Sequence, residues 1–223
     1  FALHAQGEGT EGAYALLIKV LKESEKYRDK RLVENLVVKS VMEYVRIYGM
    51  ENMEEIDRIF RKRVHRPDYI VAYQRVYDEN KVLFKGQPAV PFTFKDITGK
   101  EVSLSDLKGK YVYIDVWATW CGPCNAEIPH LKKLEEEFEG RNICFVSISC
   151  DDSQKAWERF VQAKQLGGIQ LHMGGDKSFM EAIRCKGIPR FLLIDQDGKF
   201  LNANMSRPSD GKTLEILNTL PGL

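Results

Sequence analysis

Hydrophobic residues recur at helical spacing through the first part of the chain, whereas strand-like and helical patterns alternate after it. Before residue 85 the apolar positions fall on one face at intervals of three and four, and no strand pattern interrupts them. The predicted helical faces cover residues 13–21, 32–48, 53–60 and 70–77. Gly49 and Pro67 supply a stop and a start signal. We therefore predict an all-α N-terminal helical domain over residues 1–85, whose first ten residues are a frayed terminus.

The pattern changes at residues 85–88, a Lys-Gly-Gln-Pro segment typical of a boundary. Beyond it, short apolar runs alternate with amphipathic helices, which predicts an α/β domain over residues 86–223. Predicted strands cover residues 92–97, 101–104, 111–117, 143–149, 191–194 and 199–202, and predicted helices cover 122–138, 153–164, 179–183 and 214–220. Residues 111–117 are almost continuously apolar, as expected of a buried central strand.

Composition and charge exclude several classes of partner. The formal net charge of the 223 residues is +1, so the chain has no strong field to attract nucleic acid or an anionic membrane. Its longest apolar stretch, residues 111–118, is too short to span a bilayer and contains Asp115. We therefore expect no nucleic-acid partner and no transmembrane segment in this chain, and no leader pattern is visible.

Two of the five cysteines form the segment Cys121-Gly122-Pro123-Cys124, where the buried strand gives way to a helix. Disulfide exchange needs a thiolate, and the unpaired N–H groups of a helix N-terminus stabilise one. Gly122 keeps the approach open, and Pro123 has no N–H to lose in the first turn. We predict that Cys121, at the exposed end, is the nucleophile and that Cys124, one turn in, resolves the mixed disulfide.

A zinc half-site is the main structural alternative for this pair. Zinc needs two more ligands at suitable spacing, and the chain has no second Cys-x-x-Cys or histidine pair. Its histidines are far apart in the sequence, at His4, His65, His130 and His172. We therefore expect no metal ligands in the site. A Cu(I) relay held by Cys121 and Cys124 remains an alternative.

The segment from Trp120 to Cys124 resembles the active-site motif of the thioredoxin superfamily, and the resemblance covers residues 89–220. It implies a thioredoxin-like fold, which is a central mixed sheet flanked by helices. Gly187-Ile188-Pro189 resembles the loop that carries the family's cis-proline. This implies a cis bond before Pro189, which packs beside the dithiol, and a backbone at Ile188 that pairs with substrate. Pro129 matches a kinking proline in the family's helix.

Residues 91–94, 102–110 and 124–129 most resemble the TlpA/ResA branch of bacterial envelope proteins. That resemblance implies a periplasmic or cell-envelope location in a Gram-negative bacterium. It also implies an upstream reductant such as a DsbD-like membrane donor. The N-terminal helices lie outside the resemblance, and the sequence leaves their role open.

The resemblance also implies roles for two carboxylates. Asp115 matches a residue that helps to move the proton of the buried cysteine, and structural hydrogen bonding is the alternative. Its usual lysine partner is missing, because residues 145–151 contain no lysine. Glu127 matches a carboxylate that tunes the dithiol, and a solvated helix residue is an equal alternative.

Other residues near the motif have competing interpretations. Trp120 is expected to shape the substrate surface. Arg190 either supports the Cys121 thiolate or forms an ordinary surface salt bridge. Cys144 is expected to pack in a buried strand, whereas Cys150 and Cys185 allow a second redox pair.

These observations predict a thiol–disulfide oxidoreductase that reduces protein disulfides without a cofactor. The Gly-Pro spacer favours reduction, since thioredoxin lies near about −270 mV. The alternatives are a thiol peroxidase, a module whose helices recruit a partner, and the Cu(I) relay.

Overall fold

The computed structural model describes residues 10–49 and 53–223. The frayed terminus predicted for residues 1–10 lies outside these residues except for Thr10, where the first helix begins. The chain divides into two compact units, one ending at Phe84 and the other running from Lys85 to Leu223.

The described residues of the first unit contain helices and no strand, and the four predicted helices are confirmed. They are α1 (Thr10–Glu23), α2 (Lys30–Tyr48), α3 (Met53–Arg63) and α4 (Pro67–Asn80), with 3-10 turns at Ser24–Lys26 and Lys81–Leu83. The Asp29 side chain caps α2, and Gly49 ends that helix at a φ of 80°. The apolar faces meet in one core, in which Phe60 stacks on Tyr73 with 3.9 Å between ring centroids.

The second unit contains a seven-stranded mixed sheet. Its strands are β1 (Thr93–Asp96), β2 (Glu101–Ser103), β3 (Tyr111–Trp117), β4 (Ile143–Ser149), β5 (Ile169–His172), β6 (Arg190–Ile194) and β7 (Phe200–Met205). Its helices are α5 (Gly122–Glu137), α6 (Gln154–Lys164), α7 (Ser178–Ala182) and α8 (Gly211–Asn218). The strand order is β2-β1-β5-β4-β3-β6-β7. Strands β3, β4 and β5 run parallel, and the outer pairs are antiparallel. The predicted thioredoxin-like arrangement of a central mixed sheet with helices is confirmed.

Two predicted boundaries near the C-terminus were wrong. The last helix begins at Gly211 and not at residue 214, because the Asp210 side chain caps it by accepting from the N–H of Lys212. Strand β7 extends to Met205, since its pairing with β6 continues through an irregularity as far as Phe191. The pattern had suggested an end at residue 202, because Asn202 and Asn204 interrupt the apolar positions of β7.

Strand β3 positions the site. It is buried at all seven positions, with β4 parallel on one side and β6 antiparallel on the other. The chain leaves β3 at Trp117, makes a short turn, and enters α5 at the dithiol. Among the described residues, no helix has the length and apolar content needed to cross a membrane.

Candidate active site

Cys121 is the N-cap residue of α5 and forms a disulfide with Cys124. The two Cα atoms lie 5.2 Å apart, and the N–H of Cys124 donates to the Cys121 Sγ at 3.2 Å. The Cys121 carbonyl accepts the first helical hydrogen bond, from Asn125 at 3.0 Å. One turn of helix thus brings both sulfur atoms to the positive end of α5, as the spacing predicted.

The expectation that Cys121 is the exposed cysteine was wrong for the oxidised state. Its exposed fraction is 5%, close to the 3% of Cys124. Both cysteines belong to an apolar cluster that includes Trp117, and Ile188 packs against that cluster. The neighbours of the pair are exposed instead. They are Gly122, Pro123 and Trp120, and the last is 70% exposed.

The loop before β6 contains the predicted cis peptide, between Ile188 and Pro189. Ile188 contacts the apolar cluster of the two cysteines, so this loop lies beside the dithiol. The Cys185 thiol donates to the Gly187 carbonyl at 3.1 Å within the same loop. The structure therefore brings together the dithiol and the proline loop, which are about 65 residues apart in the sequence.

Asp115 is buried in the middle of β3, with an exposed fraction of 8%. Burial, helped by the negative charges of Glu127 and Glu135, raises the pKa of Asp115 to about 8. Its register partner on β4 is Ser147, and the Oδ1 atom of Asp115 has no hydrogen-bond partner among the described residues. The carboxyl is therefore placed to change its protonation state near neutral pH.

Glu127 is buried on the inner side of α5, so the interpretation as a solvated helix residue was wrong. Its Oε2 atom accepts from the N–H of Ser209 at 3.0 Å, and its Oε1 accepts from the Ser209 hydroxyl at 2.9 Å. Arg207 Nη1 lies 3.7 Å from Oε1. The carboxylate thus anchors the loop before α8 to the helix that carries the cysteines.

Sequence reasoning missed Asp151, which follows β4 and is only 3% exposed. Its carboxylate accepts from the N–H of Thr119 at 3.0 Å and from the Thr119 hydroxyl at 2.7 Å. Ser149 Oγ donates to the same carboxylate at 2.7 Å. The Thr119 carbonyl in turn accepts from the side chain of Asn125 at 3.0 Å. Asp151 therefore fixes the turn that leads into Cys121. A carboxylate directly after a buried strand was the signal that could have identified it.

The remaining candidates from the sequence have different surroundings. The Arg190 guanidinium donates to the Ala203 carbonyl at 2.9 Å, and its influence on Cys121 stays a prediction. Cys144, Cys150 and Cys185 are half-buried free thiols. Burial raises the pKa of all three, that of Cys150 to about 11 with further contributions from Asp151 and Cys185. Within the described parts of the chain, no three potential metal ligands cluster together.

Comparison with known proteins relates the second unit to oxidoreductases. Residues 85–202 match the AhpC/TSA family. Thiol-disulfide oxidoreductase ResA of Bacillus cereus (strain ATCC 10987 / NRS 248) is 30% identical over 133 residues, which cover 58% of this chain and 74% of that protein. A solution structure assigned as a thiol-disulfide oxidoreductase of Bacteroides vulgatus is 61% identical, with a TM-score of 0.55. The match covers 60% of this chain and 88% of that one. A crystal structure with the same assignment and species is 38% identical, with a TM-score of 0.59, and the coverages are 62% and 97%.

Proposed function

This chain belongs to the AhpC/TSA family and is a thiol–disulfide oxidoreductase, and from that premise we propose that it reduces protein disulfides. The observation that carries the proposal is the Cys121–Cys124 pair at the N-terminus of α5, beside the loop of Ile188 and Pro189. A helix N-terminus stabilises a thiolate, and disulfide exchange proceeds through one.

The proposed reaction has two steps. In the reduced protein the Cys121 thiolate attacks a substrate disulfide, and one substrate sulfur leaves with the electron pair of the broken bond. The Cys124 thiol then loses its proton and attacks Cys121 Sγ, which releases the second substrate sulfur as a thiolate. The substrate gains two electrons and the protein becomes the Cys121–Cys124 disulfide, so no cofactor is required.

Asp115 is proposed as the group that accepts the Cys124 proton. Its position in β3, the strand that leads through a short turn into the dithiol, supports this role. Its raised pKa supports it too, because a carboxyl with a pKa of about 8 both accepts and releases a proton near neutral pH. Glu127 is proposed to tune the dithiol indirectly, through its charge near Asp115 and its hold on Ser209.

The substrate is proposed to lie across the exposed surface around the dithiol. That surface presents Trp120, Gly122 and Pro123, which are exposed, and the partly exposed Ile188 and Pro189 of the neighbouring loop. A Cβ added at Gly122 would meet nothing within 4 Å, so the surface beside Cys121 is open. An extended substrate segment could pair with the backbone at Ile188.

We place this reaction in the periplasm or cell envelope of a Gram-negative bacterium, with a DsbD-like membrane protein as the electron donor. The resemblance to the TlpA/ResA branch supports both proposals. A reduced dithiol in an oxidising compartment needs a dedicated donor.

We further propose that residues 1–85 and 86–223 are separate domains. Limited proteolysis of the full chain should then cut first near residues 84–88 and leave two resistant fragments.

A thiol peroxidase is the main rival enzyme. Peroxide chemistry requires one activated cysteine outside the Cys-Gly-Pro-Cys pair, and the other three thiols have raised pKa values that disfavour their thiolates. A Cu(I) relay would use the same two sulfur atoms as the disulfide exchange. These rivals differ from the proposal in what the reduced protein consumes or binds.

The test is reduction of insulin disulfides by the full chain with dithiothreitol as the electron source. The parent should accelerate the reaction, and Cys121→Ser should not. Asp115→Asn should bind substrate normally and release the second thiol more slowly. Peroxide turnover without disulfide reduction, or tight Cu(I) binding without it, would contradict the proposal.

A further inference from the structure

A small cavity of about 10 Å³ lies beside Asp115, among β3, α5 and the loop after α6. This is about the room that one water molecule needs. Its polar lining comes from four directions, with Asp115 on β3, Ser147 on β4, Gln170 on β5 and Glu135 on α5. Lys132 on α5 and Gly167 in the loop after α6 also line it.

Three buried polar atoms of lining residues have no hydrogen-bond partner among the residues that the structure describes. They are Asp115 Oδ1, Trp117 Nε1 and Gln170 Oε1. A buried polar atom without a partner costs about 1 to 3 kcal/mol, and one buried water typically makes two to four hydrogen bonds. A water in this cavity would satisfy groups that the protein itself leaves without a partner, Asp115 among them.

Glu135 forms the opposite wall, and two glycines allow it to lie there. A Cβ on Gly167 would lie 2.6 Å from Glu135 Oε2, and a Cβ on Gly168 would lie 2.8 Å from Oε1. Such distances are shorter than real contacts, so the carboxylate rests directly on the backbone of this loop. Beside it, Lys132 Nζ donates to the Lys164 carbonyl at 2.7 Å and joins α5 to the end of α6. Glu135 both lines the cavity and is only half-buried, so this residue is in partial contact with solvent.

The surroundings of the cavity give its two carboxyls similar pKa values. Burial raises the pKa of Glu135 to about 7, where Lys132 lowers it and Glu136 adds to the rise. The pKa of Asp115 is raised to about 8, chiefly by burial. The titratable groups that face Asp115 are Glu127, Glu135 and Lys132 from α5 and Tyr113 from its own strand. Ser147 and Gln170 on the neighbouring strands do not titrate.

We propose that Glu135 passes the proton of the resolving step between Asp115 and solvent, through a water in this cavity. The inference rests on the proposed disulfide exchange. The S–H bond of Cys124 breaks and its proton goes to the Asp115 carboxylate. The sulfur's electron pair forms the bond to Cys121 Sγ, and the bond from Cys121 to the substrate breaks with its pair on the substrate sulfur. Asp115 then gives its proton to the water, which gives one to Glu135, and Glu135 releases it to solvent.

Glu135 thereby takes the place of the strand lysine that this chain lacks beside Asp115. The residue opposite Asp115 on β4 is Ser147, and the charged residues that line the cavity with Asp115 come from α5 instead. Glu135 touches neither sulfur nor substrate and acts only through Asp115, so its effect must appear in proton transfer and not in the first attack.

Three variants of the full chain test this proposal. Glu135→Gln removes the carboxylate, and Gly167→Ala keeps its charge but pushes it off the loop. Gly167 lies outside the left-handed region, and the atoms that its Cβ meets are the far end of a flexible side chain, so this variant should fold. Glu137→Gln is the control, since Glu137 is exposed on the same helix and does not contribute to the pKa of Asp115.

The first measurement is single-turnover kinetics with a protein disulfide in weakly buffered solution from pH 5 to 9. Formation of the mixed disulfide by Cys121 should be unchanged in all three variants. Release of the second thiol near pH 7 should slow about tenfold in Glu135→Gln and several-fold in Gly167→Ala. Concentrated buffer should restore part of the rate. Unchanged release in both variants overturns the proposal, and so does equal slowing of attack and release, which would make Glu135 structural.

The second measurement is the titration of the Asp115 carboxyl by NMR in the oxidised protein, which needs no turnover. Glu135→Gln should lower the pKa of Asp115, because it removes one of the negative charges that raise that value. An identical titration in parent and variant overturns the coupling. Failure of the proposed function itself would look different, since the parent would then form no mixed disulfide.

Discussion

The backbone N–H of Cys124 donates to the Sγ of Cys121 across 3.2 Å. The donor belongs to the first turn of α5, and the acceptor caps that helix. The two cysteines are therefore unequal although they share one disulfide and similar burial. Once the bond is reduced, the first turn of the helix stabilises negative charge on Cys121, whereas Cys124 lies deeper in that turn.

Replacing each cysteine separately should give different outcomes. Cys121→Ser should abolish disulfide reduction because no nucleophile remains. Cys124→Ser should make one attack and stall as a mixed disulfide, since the resolving thiol is gone. Mass spectrometry of the products after mixing with a protein disulfide checks this. Mixed disulfides that accumulate on Cys124 in the Cys121→Ser protein, and not on Cys121 in the other variant, would reverse the assignment.

The Asp115 carboxyl should make the oxidised protein less stable as the pH rises. A folded-state pKa of about 8, against an ordinary value of 3.8, means that the folded protein holds this proton more tightly than the unfolded chain. The free energy of unfolding therefore falls with rising pH between those two values. Asp115→Asn should remove this loss and exceed the parent at pH 9 by more than about 1.4 kcal/mol, the value of one pKa unit.

Urea unfolding of oxidised parent and Asp115→Asn at pH 5 and pH 9 measures that difference. The gap between the two proteins should widen toward pH 9. A gap that stays constant over this range would show that the carboxyl ionises as easily in the fold as in the unfolded chain.

Removing the Asp151 carboxylate should loosen the turn before the dithiol. Asp151→Ala leaves the N–H and hydroxyl of Thr119 without their acceptor, at a cost of about 3 kcal/mol in the free energy of unfolding. Alkylation of Cys121 in the reduced protein should also change in rate, because this turn positions it. Asp152→Asn is the matched control, since Asp152 is exposed. Equal stability of Asp151→Ala and the control would remove Asp151 from the support of the site.

Glu127 combines a charge effect with an anchoring effect, and two substitutions separate them. Ser209→Ala removes one hydrogen bond to Glu127 and keeps its charge, which should cost about 1 kcal/mol in stability and leave the pKa of Asp115 unchanged. Glu127→Gln removes the charge and should lower the pKa of Asp115, of which Glu127 is the larger charged cause. NMR titration of Asp115 in both variants decides the matter. A shift in Ser209→Ala equal to that in Glu127→Gln would make the charge irrelevant.

Trp120 should matter for substrate and not for the fold. Because the side chain is 70% exposed, Trp120→Ala should change the free energy of unfolding by less than about 0.5 kcal/mol. Its KM for a protein disulfide should rise several-fold, because a large apolar contact surface is lost. Turnover of a small disulfide provides the internal control, and an equal loss with both substrates would speak against a role in docking.

The elements and the dithiol could be predicted because their signals are local. The continuous apolar run of β3, the stop at Gly49 and the four-residue redox motif each lie within one short window of sequence. Contacts between distant segments gave no such signal. Ser209 is 82 residues from Glu127, and Asp151 is 32 residues from Thr119, so neither pairing is visible in a local pattern. The burial of Cys121 was missed for the same reason, since Ile188 packs against its cluster from a remote loop.

The position of β3 between β4 and β6 has a consequence for how the molecule opens. Its backbone is hydrogen-bonded on both sides, so its amide hydrogens can exchange with solvent only when the centre of the sheet separates. The turn from Ala118 to Trp120 directly follows β3, whose amide hydrogens should exchange most slowly in the second unit. In a deuterium-exchange experiment the boundary between slow and fast amides should therefore fall within a few residues of Cys121. Local opening of the backbone at the dithiol can then accompany each turnover while the hydrogen bonds of β3 remain intact.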